Sequence, residues 1–222
     1  MKVKIADLYD LSNTIAAPLL ERFEYPWEAL AHIKEFILEL GPTLPADEFD
    51  NPAEGVWIAK DAKIYDSAYI GSPLIIDHGA EVRHCAFLRC PAIVGKGAVI
   101  GNSTELKNVI IFDKAQVPHY NYVGDSILGF GAHMGAGAIT SNLKSDRSLV
   151  TVKDFATGET IETGLKKFGA MLGDGVEVGC NTVMNPGTVI GCHSNVYPLS
   201  RVRGFVPALR IFKDPGNIVE KW

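Results

Sequence analysis

Hydrophobic residues return at every sixth position through much of the chain: Ile58, Ile64, Ile70, Ile76, Val82, Leu88, Val94, Ile100 and Leu106. Two positions before many of them stands an alanine, as at Ala62, Ala68, Ala80, Ala86, Ala92 and Ala98. A helix repeats at about 3.6 residues and a strand alternates every two, so neither produces this beat. A coil of very short strands does, with one hexad per strand and three strands per triangular turn. The beat falters after Leu106, returns at Leu128, Met134 and Thr140, and resumes through Leu172, Val178, Met184, Ile190, Val196 and Val202. The pattern predicts an all-β fold, a parallel β-helix spanning residues 51–206.

Three stretches stand outside the repeat. In residues 1–50, Ser12 is placed to cap a short helix over 16–23. Pro26 suits the first turn of a second helix over 27–40, stopped by Gly41 and Pro42. Trp27, Leu30, Ile33, Ile37 and Leu40 follow helical spacing, so one face of that helix must be buried. Solenoids need their ends covered, and this segment is expected to cap the open first coil. Residues 143–167 form an excursion too long for a turn, with a hairpin expected over 149–153 and 160–163 around Thr157 and Gly158. Long excursions from a regular scaffold commonly serve as lids or binding loops. Residues 207–222 read as an irregular tail broken by Pro207, Pro215 and Gly216.

Composition narrows the function without naming it. The net charge of −5 is uneven: residues 1–50 hold four basic against ten acidic side chains, and the remainder seventeen against sixteen. No basic block points to nucleic acid. No apolar run of about 18 residues and no cleavable signal is found, so neither a membrane partner nor export is expected and a cytoplasmic address follows. Cysteines at 85, 90, 180 and 192 make no C-x-x-C pair and read as reduced thiols.

Candidate chemistry lies mid-chain. Positions 18 apart stack on adjacent coils, about 4.8 Å apart, and Arg89 and Lys107 are such a pair, each following an inward residue. Two like charges in register cost free energy unless an anion lies between them. They read as a phosphate or carboxylate clamp, or as two cations reaching into solvent. His119 falls where the hexad slips and Pro118 replaces an aliphatic residue. A histidine there suits a general base, since imidazole ordinarily titrates near neutrality, although lone histidines are more often structural.

Three stretches carry a more specific signal: Glu105-Leu-Lys-Asn108, Pro118-His-Tyr-Asn-Tyr-Val-Gly-Asp125 and Gly135-Ala-Gly-Ala-Ile-Thr-Ser-Asn142. They closely resemble the acetyltransferase half of the bifunctional bacterial enzyme that makes UDP-N-acetylglucosamine, a hexapeptide-repeat acyltransferase with a left-handed β-helix. There the pattern runs E-M-K, G-H-x-x-Y-x-G-D and G-A-G-T-I-T-x-N, and the likeness extends over residues 56–205. It implies acetyl-CoA as co-substrate, an amino-sugar phosphate or nucleotide sugar as acceptor, and a homotrimer with the site between neighbouring solenoids. Position by position, it makes His119 the base, and Arg89 and Lys107 the binders of a sugar-1-phosphate. Tyr122 becomes a phosphate and sugar contact, and Asn142 a residue holding the sugar and acetyl group. Ala136 is implied as a backbone contact to acetyl-CoA, with Cys180 and Tyr197 beside the pantetheine arm.

This chain departs from that pattern mostly in substrate recognition. His133 stands where the relatives carry an asparagine, Leu143 where an aromatic residue follows Asn142, and Cys180 where serine is common. A further phosphate-binding lysine falls in the excursion, where Lys144 or Arg147 is the candidate replacement. No L-A-A-G-x-G-T-R-M-like loop is present, so nucleotidyltransferase activity is not expected. Two other readings stay open: a non-catalytic scaffold or regulatory subunit of sugar-nucleotide metabolism, and a γ-class carbonic-anhydrase-like zinc site drawing on His84, His119 and His133.

Overall fold

The computed structural model describes residues 1–222. Most of them wind as a left-handed parallel β-helix whose turns lay strands on three faces. The first face is built from Val56–Ala59, Leu74–Ile76, Ala92–Val94, Ala170–Leu172, Thr188–Ile190 and Phe205–Val206. The second runs through Tyr69–Ile70, Phe87–Leu88, Ile139–Thr140, Val183–Met184 and Arg201–Val202. The third includes Lys63–Ile64, Glu81–Val82, Val99–Asn102, Gln116–His119, His133–Met134, Glu177–Val178 and Asn195–Val196. Two longer strands, Glu105–Ile111 and Tyr122–Leu128, bend from the second face onto the first and join these faces into one 14-stranded sheet.

The hexad residues point inward. Ile76, Val82, Leu88, Val94, Ile100, Leu106, Leu128, Met134, Leu172, Met184, Ile190 and Val202 belong to one buried core. Each contributes about 1.5–3 kcal/mol of apolar burial. Alanines 80, 86, 92 and 98, two residues before the hexad positions, are buried in the same core.

The faltering beat has a geometric cause. Phe87 pairs with Glu105, eighteen residues on, whereas Glu105 pairs with Tyr122, seventeen on. The inward series continues through Ile111, Val117 and Val123 with one residue deleted at the corner between second and first faces. Val117, not Pro118, is therefore the inward residue beside His119.

The N-terminal segment does not cap the first coil. It lies lengthwise along the first face, where Leu19, Leu20, Trp27, Leu30, Ile33, Phe36 and Ile37 form a second core with Ile75, Ile93, Ile110, Ile127, Met171 and Val189. Those outward residues flank inward ones, so every third strand is apolar at consecutive positions and must be covered on both sides. Ile58, Ile64 and Ile70 at the first coil stay only partly buried, consistent with an end not roofed by helices. That end is instead lined by Phe49–Ala53, paired antiparallel with Val56–Ala59.

The helices are also shorter than expected. Ser12 lies in a 3₁₀ turn, Leu11–Asn13, capped by Asp10, whose Oδ1 accepts from Ser12 N at 3.0 Å. The α-helix beyond it covers only Ala17–Leu20. The long second helix divides at His32 into a 3₁₀ stretch, Pro26–Ala31, and an α-helix, Ile33–Leu40. At its end Gly41 passes against the Trp57 ring, which a Cβ would strike, and the chain tightens into a 3₁₀ turn over Gly41–Thr43.

The excursion forms the expected hairpin, Thr151–Lys153 against Thr160–Glu162. Its root is fixed to the second core through buried Val150, Val152 and Phe168. The C-terminal residues are not irregular: Arg210–Asp214 pairs with Asn195–Val196 and folds back antiparallel onto Asn217–Glu220. Pro215 and Gly216 make the turn between those strands. No helix is long and apolar enough to cross a membrane.

Candidate functional site

The corner between third and second faces repeats one backbone device at each turn. The N–H groups of Ser103, Tyr120, Gly137, Asn181 and Leu199 donate to the carbonyls of His84, Asn102, His119, Ala136 and Cys180 at 2.8–3.3 Å. Every donor residue has φ between +51° and +72°, the left-handed turn that lets a six-residue strand change face. The device stacks His84, Asn102, His119, Ala136, Cys180 and Pro198 in one column. Three candidate residues thus meet on one edge although 61 positions separate His119 from Cys180. His119 is exposed. The backbone N–H groups of Ala136 and Cys180 donate to no protein acceptor and are available to a ligand.

The opposite corner of the second face carries a polar cluster. Arg89 and Lys107 are register neighbours, one residue past the paired Leu88 and Leu106. Each cation already faces a carboxylate. Lys107 Nζ lies 2.9 Å from both Asp125 oxygens, and Arg89 reaches Glu105 Oε1 at 3.2 Å. Asp125 also accepts from Asn108 Nδ2, at 2.9 Å, and from Asn142 Nδ2. Asn142 further donates to the Tyr122 hydroxyl at 3.1 Å. Asp125 and Asn108 sit at φ +48° and +57°, at the shortened corner. These side chains gather at that shortened corner, where Lys107 pairs in register with Gly124 and Asp125 lies one residue beyond it.

Tyr122 lies across Gly124, where a Cβ would strike its ring. Burial, then the charges of Asp125 and Glu105, push its phenol above the ordinary range, keeping it protonated. Lys107 uses two of its three N–H donors on Asp125 and retains one for an incoming anion.

Other expected residues lie apart. His133 is on the third face, its Nδ1 2.9 Å from Glu177 Oε2, and does not join the Lys107 cluster within one chain. Lys144 Nζ donates to Ser148 Oγ (3.0 Å) and the Leu149 carbonyl (2.9 Å), stabilising its own loop. Arg147, exposed at φ +56°, donates its backbone N–H to the Lys144 carbonyl at 3.0 Å, while its side chain makes no hydrogen bond or ion pair. Tyr197 is exposed beside Pro198, with Lys213 Nζ 5.8 Å from its ring. All four cysteines are free, and burial pushes the Cys90 thiol up to about 12. His84 shares the His119 column two turns away, and His133 pairs in register with Gln116, three residues before His119 on the same face; no group of three or more His, Cys, Asp or Glu in the chain is placed to hold a metal. Sequence reasoning quoted Asp125 without giving it a role, although it organises the cluster.

A β-helix with these two corners defines a class. Residues 70–197, more than half the chain, match the family described as the GMPPB C-terminal domain, and the chain belongs to it. Its sequence is 36% identical over 143 residues to the bifunctional sugar-1-phosphate nucleotidylyltransferase/acetyltransferase of Sulfurisphaera tokodaii, covering 64% of this chain and 35% of that one. It is 31% identical over 171 residues to the bifunctional protein GlmU of Methanococcus vannielii, covering 76% and 41%. The chain thus spans well under half the length of these curated relatives. Among solved structures, the acetyltransferase domain of PglB from Neisseria gonorrhoeae in complex with acetyl coenzyme A aligns at a TM-score of 0.34 and 14% identity, covering 73% of this chain and 56% of that one.

Proposed function

We propose that this chain is an acetyl-CoA-dependent N-acetyltransferase acting on an amino-sugar phosphate or nucleotide sugar, with His119 as general base. The stacking of exposed His119 with Ala136 and Cys180, across one face from Lys107, Asp125, Tyr122 and Asn142, carries the reading. His119 takes a proton from the acceptor amine as its nitrogen attacks the thioester carbonyl. The unpartnered N–H of Ala136 is the donor for the resulting oxyanion, and the Asn142 amide joins it by releasing one of its Nδ2 bonds to Tyr122 or Asp125. Collapse of that intermediate expels the coenzyme A thiolate and leaves an amide. A deprotonated amine needs no covalent enzyme intermediate, so exposed Cys180 serves as a wall of the site. Lys107 and Arg89 bind the acceptor phosphate, the first through its free donor and the second by leaving Glu105.

The reading includes a homotrimer. The N-terminal segment covers the first face, which leaves the second and third open to neighbours. Exposed Tyr69, Phe87, Ile139 and Val183 project from one register column of the second face, with Glu105 and Tyr122 between Phe87 and Ile139. Light scattering should then give three times the 24.0 kDa chain mass. It also assigns acetyl transfer without nucleotidyl transfer. Incubating the chain with UTP and N-acetylglucosamine-1-phosphate tests that part, and pyrophosphate release would contradict it. Acetyl-CoA-dependent thiol release with glucosamine-1-phosphate and related acceptors tests the transfer itself.

A further inference from the structure

The last coils end in a hollow that acetyl transfer does not use. A cavity of about 740 Å³ lies between the tip of the excursion and the C-terminal hairpin. Phe155, Phe205 and Phe212 supply its apolar surface, and Arg201, Arg203 and Arg210 its charge. Arg201 and Arg203 have no carboxylate partner, whereas Arg210 lies 3.4 Å from Glu220. The one carboxylate lining the cavity, Asp154, is engaged by its own turn, where Oδ1 accepts from Ala156 N at 2.8 Å.

An adjoining hollow of about 350 Å³ shares Phe155, Asn185 and Arg203 with the first and adds Lys144, Lys153 and Asp146, whose Oδ1 accepts from the backbone N–H and hydroxyl of Ser148. Lys153 Nζ lies 5.2 Å, and the Arg203 guanidinium carbon 5.8 Å, from the centroid of the half-exposed Phe155 ring. Cations gathered around one concavity, in a chain of net charge −5, repel one another unless an anion joins them. Paired guanidinium forks match phosphate oxygens bidentately, and exposed aromatic rings are stacking surfaces for nucleobases. The volume falls within the roughly 300–1,000 Å³ of small-molecule sites.

We propose that this cavity binds a nucleoside diphosphate group, with Arg201 and Arg203 on the phosphates and Phe155 against the base. The site is separate from the His119 corner: register runs Tyr122, Ile139, Val183, Arg201, three rungs or roughly 14 Å along the axis. It does not rest on the acetyl-transfer reading.

Calorimetric titration of the full chain with UDP, GDP, ADP and inorganic pyrophosphate tests it. At least one nucleotide should bind with a Kd below about 1 mM and more tightly than pyrophosphate. Arg203→Gln should weaken that nucleotide at least about tenfold. Phe155→Ala should weaken it while leaving pyrophosphate unchanged. Both side chains are exposed, so melting curves should show the variants folded. His119→Ala should bind as the parent does, and saturating acetyl-CoA should not displace the nucleotide. No binding by any nucleotide, pyrophosphate binding as tightly, unchanged affinity in either variant, or displacement by acetyl-CoA would each overturn the proposal.

Discussion

Lys107 and Asp125 are joined by two 2.9 Å contacts, from one ammonium to both oxygens of one carboxylate. The Asp125 side chain is only 5% exposed, and it holds Asn108 and Asn142 as well. An arrangement that fixes an ammonium and an amide through one carboxylate positions them before any substrate arrives.

Asp125→Asn is the informative variant, because asparagine tolerates the φ of +48° that this corner imposes. It turns an amide NH2 toward donors on Lys107 and Asn108 or Asn142. It should therefore lower Tm through the cost of an unsatisfied buried group, about 1–3 kcal/mol. It should also lose about 10–100-fold in kcat/KM, since small misplacements of binding groups carry penalties of that order. Lys107→Ala should weaken phosphate-bearing acceptors most, read as a rise in KM. Asp125→Asn at parental efficiency would remove the positioning role.

The N-terminal segment should behave as part of the core. Trp27 is 2% exposed and stacks on Phe168 at 5.6 Å and Tyr25 at 4.7 Å. Trp27→Ala should cost about 3–5 kcal/mol, lowering Tm by about 6–20 °C at roughly 2–4 °C per kcal/mol. Calorimetry of the variant checks this, and an unchanged Tm would mean that the segment adds no stability to the solenoid.

That lengthwise placement was present in the sequence but masked. The hexad marks inward residues, which made Ile76, Val94 and Leu172 legible. The outward Ile75, Ile93, Ile110, Ile127, Met171 and Val189 recur once per turn, and their apolar character announces a covered face. The deletion at Asn108 and Asp125 disguised the continuity of the series. Within the site, resemblance picked out His119, Ala136 and Cys180 by position, and the stacking of one corner explains why they meet. Asp125 stands 18 residues past Lys107, so the spacing that paired Arg89 with Lys107 already placed it one coil on. Its hold on Asn108 and Asn142 as well was not legible, because that convergence is set by how the shortened corner folds. The Arg201, Arg203 and Arg210 cavity was hidden because it forms only when the excursion and C-terminal hairpin close over the last coils.

Stability should depend on pH through the first coil. His78 Nδ1 lies 3.0 Å from Asp61 Oδ1, and Nε2 lies 3.2 Å from Glu48 Oε2. Desolvation alone would lower the His78 pKa, but the bonds to Asp61 and Glu48 outweigh it and raise it above 6.5. A raised histidine contributes stability fully below its unfolded value, lost as pH rises through the folded one. The Tm difference between the parent and His78→Gln should therefore be larger at about pH 5.5 than at about pH 8.5. Equal differences would show that the ring stabilises only by packing on Phe49, at 5.1 Å.

The central claim is best tested by thiol release from acetyl-CoA with glucosamine-1-phosphate, glucosamine-6-phosphate and a panel of amino-sugar nucleotides, comparing the parent with His119→Ala. The account predicts turnover on at least one acceptor and a loss of about two to four decades in the variant, with acetyl-CoA binding retained. Silence across the panel, or full activity without the imidazole, would contradict it.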